Sequence, residues 1–147
     1  MKKIHRYIAT VLGLGYFPIA PGTVGSFAGL LLCLLLHKYV ILYIIIFIIL
    51  FAAGVITSGK VEKESGQKDP SYVIIDEFAC IFLVFLLIPL KPLYVITGFI
   101  IYRIIDITKP PPIRLLEKRE GGWGIMLDDA LAAIYTNILL QILTRLI

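Results

Sequence analysis

From Tyr39 to Thr57 the chain runs 19 residues without a charge. A stretch of that length matches the ~30 Å hydrocarbon core that a membrane helix crosses. With no water there to bond backbone groups, the crossing segment must be helical. The rest of the sequence agrees: 59% of residues are hydrophobic, only 16% are charged, and the mean hydropathy is +0.94. Soluble domains carry about a quarter charged residues, so a water-soluble enzyme with a full polar coat is excluded. Disorder has the opposite signature and is excluded too. At 147 residues the chain is expected to form one domain, 1–147. Cys33 and Cys80 both sit in apolar runs, which supports neither a disulfide framework nor a zinc site.

The remaining punctuation predicts a compact all-α membrane bundle of about five helices behind an N-terminal interfacial segment. The run Val24 to Leu36 follows Pro21-Gly22-Thr23, with Thr23 read as an N-cap. Only His37 and Lys38 separate it from the long span, so the two make a helical hairpin. Asp69-Pro70 reads as an N-cap with proline at the first helical position, opening a third helix from Pro70 to about Ile88. Pro89-Leu90-Lys91-Pro92 turns the chain into a fourth helix, Pro92 to about Thr108, stopped by Pro110-Pro111-Pro112 because proline removes a backbone donor and clashes with the preceding turn. A fifth begins after Gly121-Gly122-Trp123-Gly124 and runs to the end. Met1 to Leu12, with Lys2, Lys3 and Arg6 ahead of a weak apolar run, reads as a basic interfacial helix rather than a signal peptide, since it has no small-x-small cleavage site.

This topology divides the 14 cations unevenly. One side receives the N-terminus, the 58–69 loop and the 103–129 segment, with 11 Lys and Arg; the other receives Lys38, Lys91 and Arg145. The positive-inside rule then places the first side in the cytoplasm. A net charge of +4 on so apolar a chain points to an anionic membrane surface rather than nucleic acid.

Five carboxylates, Asp76, Glu77, Asp106, Asp128 and Asp129, lie within or at the cytoplasmic ends of apolar helices. An acid at a helix centre costs roughly 2.5–3.5 kcal/mol on insertion scales, while each Leu or Ile returns about 0.3–0.6 kcal/mol. Acids from three helices on one face therefore suggest a hard-cation site, because Mg²⁺ takes carboxylate, water and phosphate oxygens. Arg103 and Asp106, three apart, could instead simply neutralise one another. The run from Gly13 to Ser26, rich in glycine and proline, leads into a helix start whose free N–H groups suit an anion, with Thr23 and Ser26 adding hydroxyls; a re-entrant turn would use the same residues. Lys60, Arg103, Lys109 and Arg114 flank the acids and suit phosphate, whereas Lys118 and Arg119 read as interfacial anchors. With neither Walker loop nor Rossmann fingerprint, what remains is phosphoryl transfer on a lipid headgroup.

Four blocks carry a family resemblance: Pro21-Gly22-Thr23-Val24-Gly25-Ser26; Asp76-Glu77 after Asp69-Pro70; Arg103-Ile104-Ile105-Asp106-Ile107-Thr108-Lys109-Pro110 with Arg114; and Gly121-Gly122-Trp123-Gly124-Ile125-Met126-Leu127-Asp128-Asp129. They resemble the phosphatidylglycerophosphatase A family of bacterial membrane lipid phosphatases along nearly the whole chain. Cys80 stands where the family usually has glycine, and Ala132-Ala133 where an Ala-Gly step is usual. The resemblance implies Mg²⁺-dependent removal of the terminal phosphate from phosphatidylglycerophosphate, giving phosphatidylglycerol, by a multi-pass protein of the bacterial cytoplasmic membrane whose active site faces the cytoplasm. On that basis the five acids hold metal or position water, and Arg103, Lys109 and Arg114 neutralise the phosphomonoester with help from Thr23, Ser26 and Lys60. Metal-activated water is the preferred nucleophile, with an aspartyl-phosphate on Asp128 or Asp129 the alternative. The expected partners are the lipid substrate and the bilayer, self-association into a homo-oligomer is left open, and no nucleic acid is expected. The competing class is a small cation transporter or channel subunit, since intramembrane acids often mark ion paths; a third is a regulatory membrane-binding partner without catalysis.

Overall fold

The computed structural model describes residues 2–147, and among them every regular element is helical. The helices are α1 (Lys2–Ala9), α2 (Pro21–Leu36), α3 (Val40–Ser65), α4 (Ile75–Val84), α5 (Pro92–Thr108), α6 (Ile113–Glu117) and α7 (Gly121–Leu146), with one 3₁₀ turn at Leu14–Tyr16. The all-α expectation holds, with α6 as an element the proline run had hidden. Met1 of the expected N-terminal segment lies outside the described residues.

Among the described residues two helices, α3 and α7, are long and apolar enough to cross a membrane. At 26 residues each they reach about 39 Å. The outer face of α3 is apolar, with Ile41, Ile45, Ile48, Ile49 and Ile56 exposed. Its helix continues past Thr57 through Lys60, Glu62, Lys63 and Glu64 to a glycine cap at Gly66, which adopts the left-handed conformation (φ 67°) that glycine takes at no steric cost.

The centre of the bundle is α4, packed against α2, α3 and α7. The expected helix from Pro70 to Ile88 is shortened at both ends. Residues 70–74 form a turn instead, in which the Val73 N–H bonds the Pro70 carbonyl and the Ile74 N–H bonds the Ala9 carbonyl at 2.9 Å. Asp69 is left-handed (φ 46°) and caps nothing. At the other end Asn137 of α7 donates to the carbonyls of Val84 and Leu86, at 3.0 and 2.9 Å, satisfying groups a longer helix would have bonded internally. Ten residues make about 15 Å, half a hydrocarbon core, so α4 is a buried plug and not a span. Its faces are closed by Ala79, Cys80, Ile81 and Phe82, all fully buried. Cys80 Sγ donates to the Met126 carbonyl of α7 at 3.7 Å, and Ala132 and Ala133 are fully buried. Both departures from the family pattern thus fall in the packed core.

Two N-caps differ from expectation. α2 begins at Pro21 with Ala20 as its N-cap, because proline's fixed φ already suits the first helical position. Thr23 therefore lies in the first turn. α7 begins at Gly121, ahead of the expected start, and Gly122 carries the closest α3–α7 approach: a Cβ there would run into the Val55 carbonyl. Gly122→Ala is expected to force the helices apart and cost about 1–3 kcal/mol, read as a lower midpoint of thermal unfolding in detergent.

Candidate active site

The alternation of helix directions gathers the starts of α2, α4 and α7 and the ends of α3 and α5 at one end of the bundle. Helix N-termini carry partial positive charge and free N–H groups, so three of them favour anions at that end. Asp76 and Glu77 sit in the first turn of α4, Arg103 and Asp106 on the last turns of α5 with Lys109 as its C-cap, and Asp128 and Asp129 two turns into α7. Asp76, Asp106, Asp128 and Asp129 are all buried, none more than 6% exposed.

Carboxylate oxygens of Asp76, Glu77 and Asp129 all lie within 4.8 Å of one another. Tyr102 donates its hydroxyl to Asp129 Oδ2 at 3.0 Å. Beside them Arg103 Nη1 pairs with Asp106 Oδ2 at 2.5 Å, approaches Glu77 Oε1 at 3.9 Å and donates to Ser26 Oγ at 3.4 Å. Ser26 in turn donates to the Gly22 carbonyl at 2.9 Å. Lys109 Nζ bonds Asp128 Oδ2 at 2.7 Å and Glu117 Oε1 at 3.3 Å, while the Asp129 N–H fills Asp128 Oδ1 at 2.9 Å. Burial alone would lower the Lys109 pKa, but the hydrogen bond it donates to Asp128 and the surrounding carboxylates hold it above the ordinary lysine value. Its ammonium stays charged throughout the neutral range.

Among the described residues, three buried polar atoms here have no hydrogen-bond partner: Asp76 Oδ1, Glu77 Oε2 and Arg103 Nε. An orphaned buried polar atom costs roughly 1–3 kcal/mol, more when charged. Two orphans are carboxylate acceptors within a cluster of like charge, which calls for a cation; the third is a guanidinium donor, which calls for an anion. All-oxygen carboxylate donors fit a hard divalent ion such as Mg²⁺.

The structure thus brings together the five acids, Arg103, Lys109 and Ser26. Thr23 lies half-buried one turn from Ser26 in the first turn of α2. Arg114 is exposed on α6. Lys60 points away, lining a groove between α3 and α1, and among the described residues no bond joins it to the five acids.

Three contributors were missed by sequence reasoning. Gly22 supplies the close approach of α2, because a Cβ there would run into Glu77 Oε1 and come within 3.1 Å of Arg103 Nη2. Gly22→Ala is expected to displace that pair and lower activity about 10–100-fold, with the far-ultraviolet circular dichroism unchanged. Tyr102 gave no signal beyond being one more tyrosine in an apolar helix. Asp69, read from sequence as a cap, is drawn into the charge network instead. Burial raises its pKa from 3.8 to about 7, with Lys109 opposing and Asp128, Glu77 and Glu117 adding to the rise. An acid whose folded pKa exceeds its unfolded value weakens the fold progressively as pH climbs from about 4 through 7. In EDTA, Asp69→Asn is therefore expected to gain thermal stability over the wild type, by more at pH 8 than at pH 5.

Asp69, Lys109 and Ala20 are all left-handed non-glycine residues, with φ of 46°, 43° and 47°. Val11, Leu12 and Leu87 share that conformation, so it marks the turns and helix ends of this chain and not one site.

The phosphatidylglycerophosphatase A family model matches residues 7–144. The chain belongs to this family. It is 38% identical over 142 residues to phosphatidylglycerophosphatase A of Haemophilus influenzae, covering 94% of this chain and 86% of that one. It is 32% identical over 143 residues to phosphatidylglycerophosphatase A of Escherichia coli, covering 91% and 80%. A Bacteroides thetaiotaomicron protein provisionally named a phosphatidylinositol-3-phosphatase is 34% identical over 146 residues, covering 92% and 90%. No solved structure matches significantly. The transporter reading draws no support: in this family member the acids gather at one end of the bundle beside two phosphate-type cations, not along its depth.

Proposed function

We propose that this protein, as one domain, hydrolyses the terminal phosphomonoester of phosphatidylglycerophosphate to phosphatidylglycerol and inorganic phosphate. It does so as a multi-pass protein of the bacterial cytoplasmic membrane, with the acidic end of the bundle facing the cytoplasm. The observation that carries the reading is the pairing of two orphaned carboxylate oxygens with one orphaned guanidinium donor, the complement of a metal cation and a phosphate held side by side. The 11 cations on the segments at this end support the orientation.

Asp76, Glu77 and Asp129 would hold Mg²⁺. Bound there, the ion supplies Lewis-acid charge neutralisation and lowers the pKa of water. The chain's own residues do the rest. Arg103, fixed by Asp106 and Ser26, directs its free Nε to a phosphoryl oxygen and neutralises charge that grows in the transition state. Lys109 adds a second positive charge and holds Asp128 in place. Thr23, in the first turn of α2, borders the phosphate. A water oxygen bonds to phosphorus as the bond to the glycerol oxygen breaks; the water's proton passes to a cluster carboxylate, which delivers it to the departing glycerol oxygen, so that the lipid leaves with a free hydroxyl.

Direct water attack is favoured over an aspartyl-phosphate on Asp128 because both Asp128 oxygens already accept strong hydrogen bonds, one of which a nucleophilic carboxylate would have to give up. The test is a substrate panel for purified protein in detergent with Mg²⁺: phosphatidylglycerophosphate, phosphatidic acid, phosphatidylinositol-3-phosphate and glycerol-3-phosphate. The expected result is phosphate release from the first lipid at least tenfold faster than from any other. Preference for phosphatidylinositol-3-phosphate would keep the chemistry and overturn the substrate.

A further inference from the structure

Lys60 is a sequence-predicted phosphate ligand that the acidic cluster does not use. It lines a groove of about 600 Å³ between α1 and the polar end of α3, whose walls are Ile4, His5, Ile8, Thr57, Lys63 and Glu64. The groove lies on the outer side of α3, away from the face whose Val55 carbonyl and Gly59 meet Gly122 of α7. Its chemistry is divided along its length. Ile4 and Ile8, 64% and 37% exposed, make an apolar strip on α1. Lys60 and Lys63, three apart on α3 and both exposed, make a cationic edge. Thr57 turns its hydroxyl back to the Ala53 carbonyl at 2.7 Å, and Glu64 is held by His5 Nε2 at 3.0 Å, so the carboxylate in the groove is engaged by a ring that itself carries charge when protonated. Lys3 and Arg6 add positive potential from α1.

Its level in the bundle decides what fits. The apolar run of α3 from Val40 to Thr57 has 18 residues, or about 27 Å of helix, close to a full hydrocarbon core. Lys60 stands one turn beyond that edge, where phospholipid phosphates lie. An apolar strip sharing one groove with paired lysines at that level is complementary to a lipid with a negatively charged phosphodiester. It is not complementary to a zwitterionic head, whose own ammonium would oppose Lys60 and Lys63.

We infer that the α1–α3 groove binds one anionic glycerophospholipid from the surrounding leaflet, its phosphodiester on Lys60 and Lys63 and an acyl chain along Ile4 and Ile8. This site is separate from the catalytic cluster and independent of the substrate assigned to it. It ties α1, which lies across α3, to the membrane surface.

The full chain, purified in detergent, would be titrated with phosphatidylglycerol or phosphatidylcholine and its bound lipids counted by native mass spectrometry. Wild type is expected to retain one more phosphatidylglycerol than the Lys60→Gln/Lys63→Gln variant and to show no such excess of phosphatidylcholine. Loss of both lysines is expected to weaken that binding about 30-fold. Both substitutions are on exposed residues, and circular dichroism with gel filtration verifies the fold. Ile8→Asp, which places a negative charge on the apolar strip, is expected to remove the same lipid. Equal phosphatidylglycerol counts in wild type and the double variant would overturn the inference, as would equal retention of the two lipids by wild type.

Discussion

Asp129→Asn is expected to lower phosphate release by about 10³-fold while raising thermal stability in EDTA. Asp129 is 3% exposed and shares a 4.8 Å cluster with Asp76 and Glu77. Replacing a carboxylate by its isosteric amide removes a negative charge from a group that repels itself, and the remaining oxygen still accepts the Tyr102 hydroxyl. Without metal, the fold therefore gains. Turnover loses several kcal/mol of transition-state stabilisation, the scale of an ion's contribution to phosphoryl transfer, and about 4 kcal/mol is 10³-fold. Opposite signs for stability and activity are the mark of a functional carboxylate. A variant that lost both together would assign Asp129 a structural role, and paired measurements of melting temperature and phosphate release decide between them.

Arg103→Ala is expected to cost both. Arg103 is 14% exposed and stands between Asp106, Glu77 and Ser26. Deleting one partner of a buried ion pair leaves the other charge without compensation, typically 3–5 kcal/mol. Here two carboxylates are left, so destabilisation at the upper end of that range is expected, together with loss of activity below detection. Arg103→Lys separates the roles. It keeps the charge on Asp106 but cannot supply the planar fork and the additional Nε donor, so it is expected to recover most of the stability and little of the rate. A chemical-unfolding series in detergent, run beside the phosphate assay on all three proteins, provides the comparison.

That the five acids, Arg103 and Lys109 would gather in one place was legible, because charges in an apolar chain are expensive wherever they fall, and Ser26 joins them through Arg103. The ends of α4 were not legible. They are set by Asn137, more than 50 residues away, and by a backbone bond from Ile74 to Ala9, both tertiary choices that override the local promise of Asp69-Pro70. Asp69 itself was misread for a related reason: a cap needs its side chain on its own helix, and this one is recruited to the Lys109 network. Gly22 was visible only as one glycine of a loop, because what requires it is Glu77 on another helix. Lys60 falls the other way: its closeness in sequence to the other cations grouped it with the phosphate ligands, whereas the phase of α3 turns it outward into the groove beside α1.

The account stands most directly on phosphate release from phosphatidylglycerophosphate by the purified protein, measured with Mg²⁺ and again with excess EDTA. Turnover with Mg²⁺ that falls to background in EDTA and returns when Mg²⁺ is restored is the expected result. Undiminished turnover in EDTA would contradict the assignment of Asp76, Glu77 and Asp129 to a metal, and no turnover from folded protein under any condition would contradict the proposed reaction.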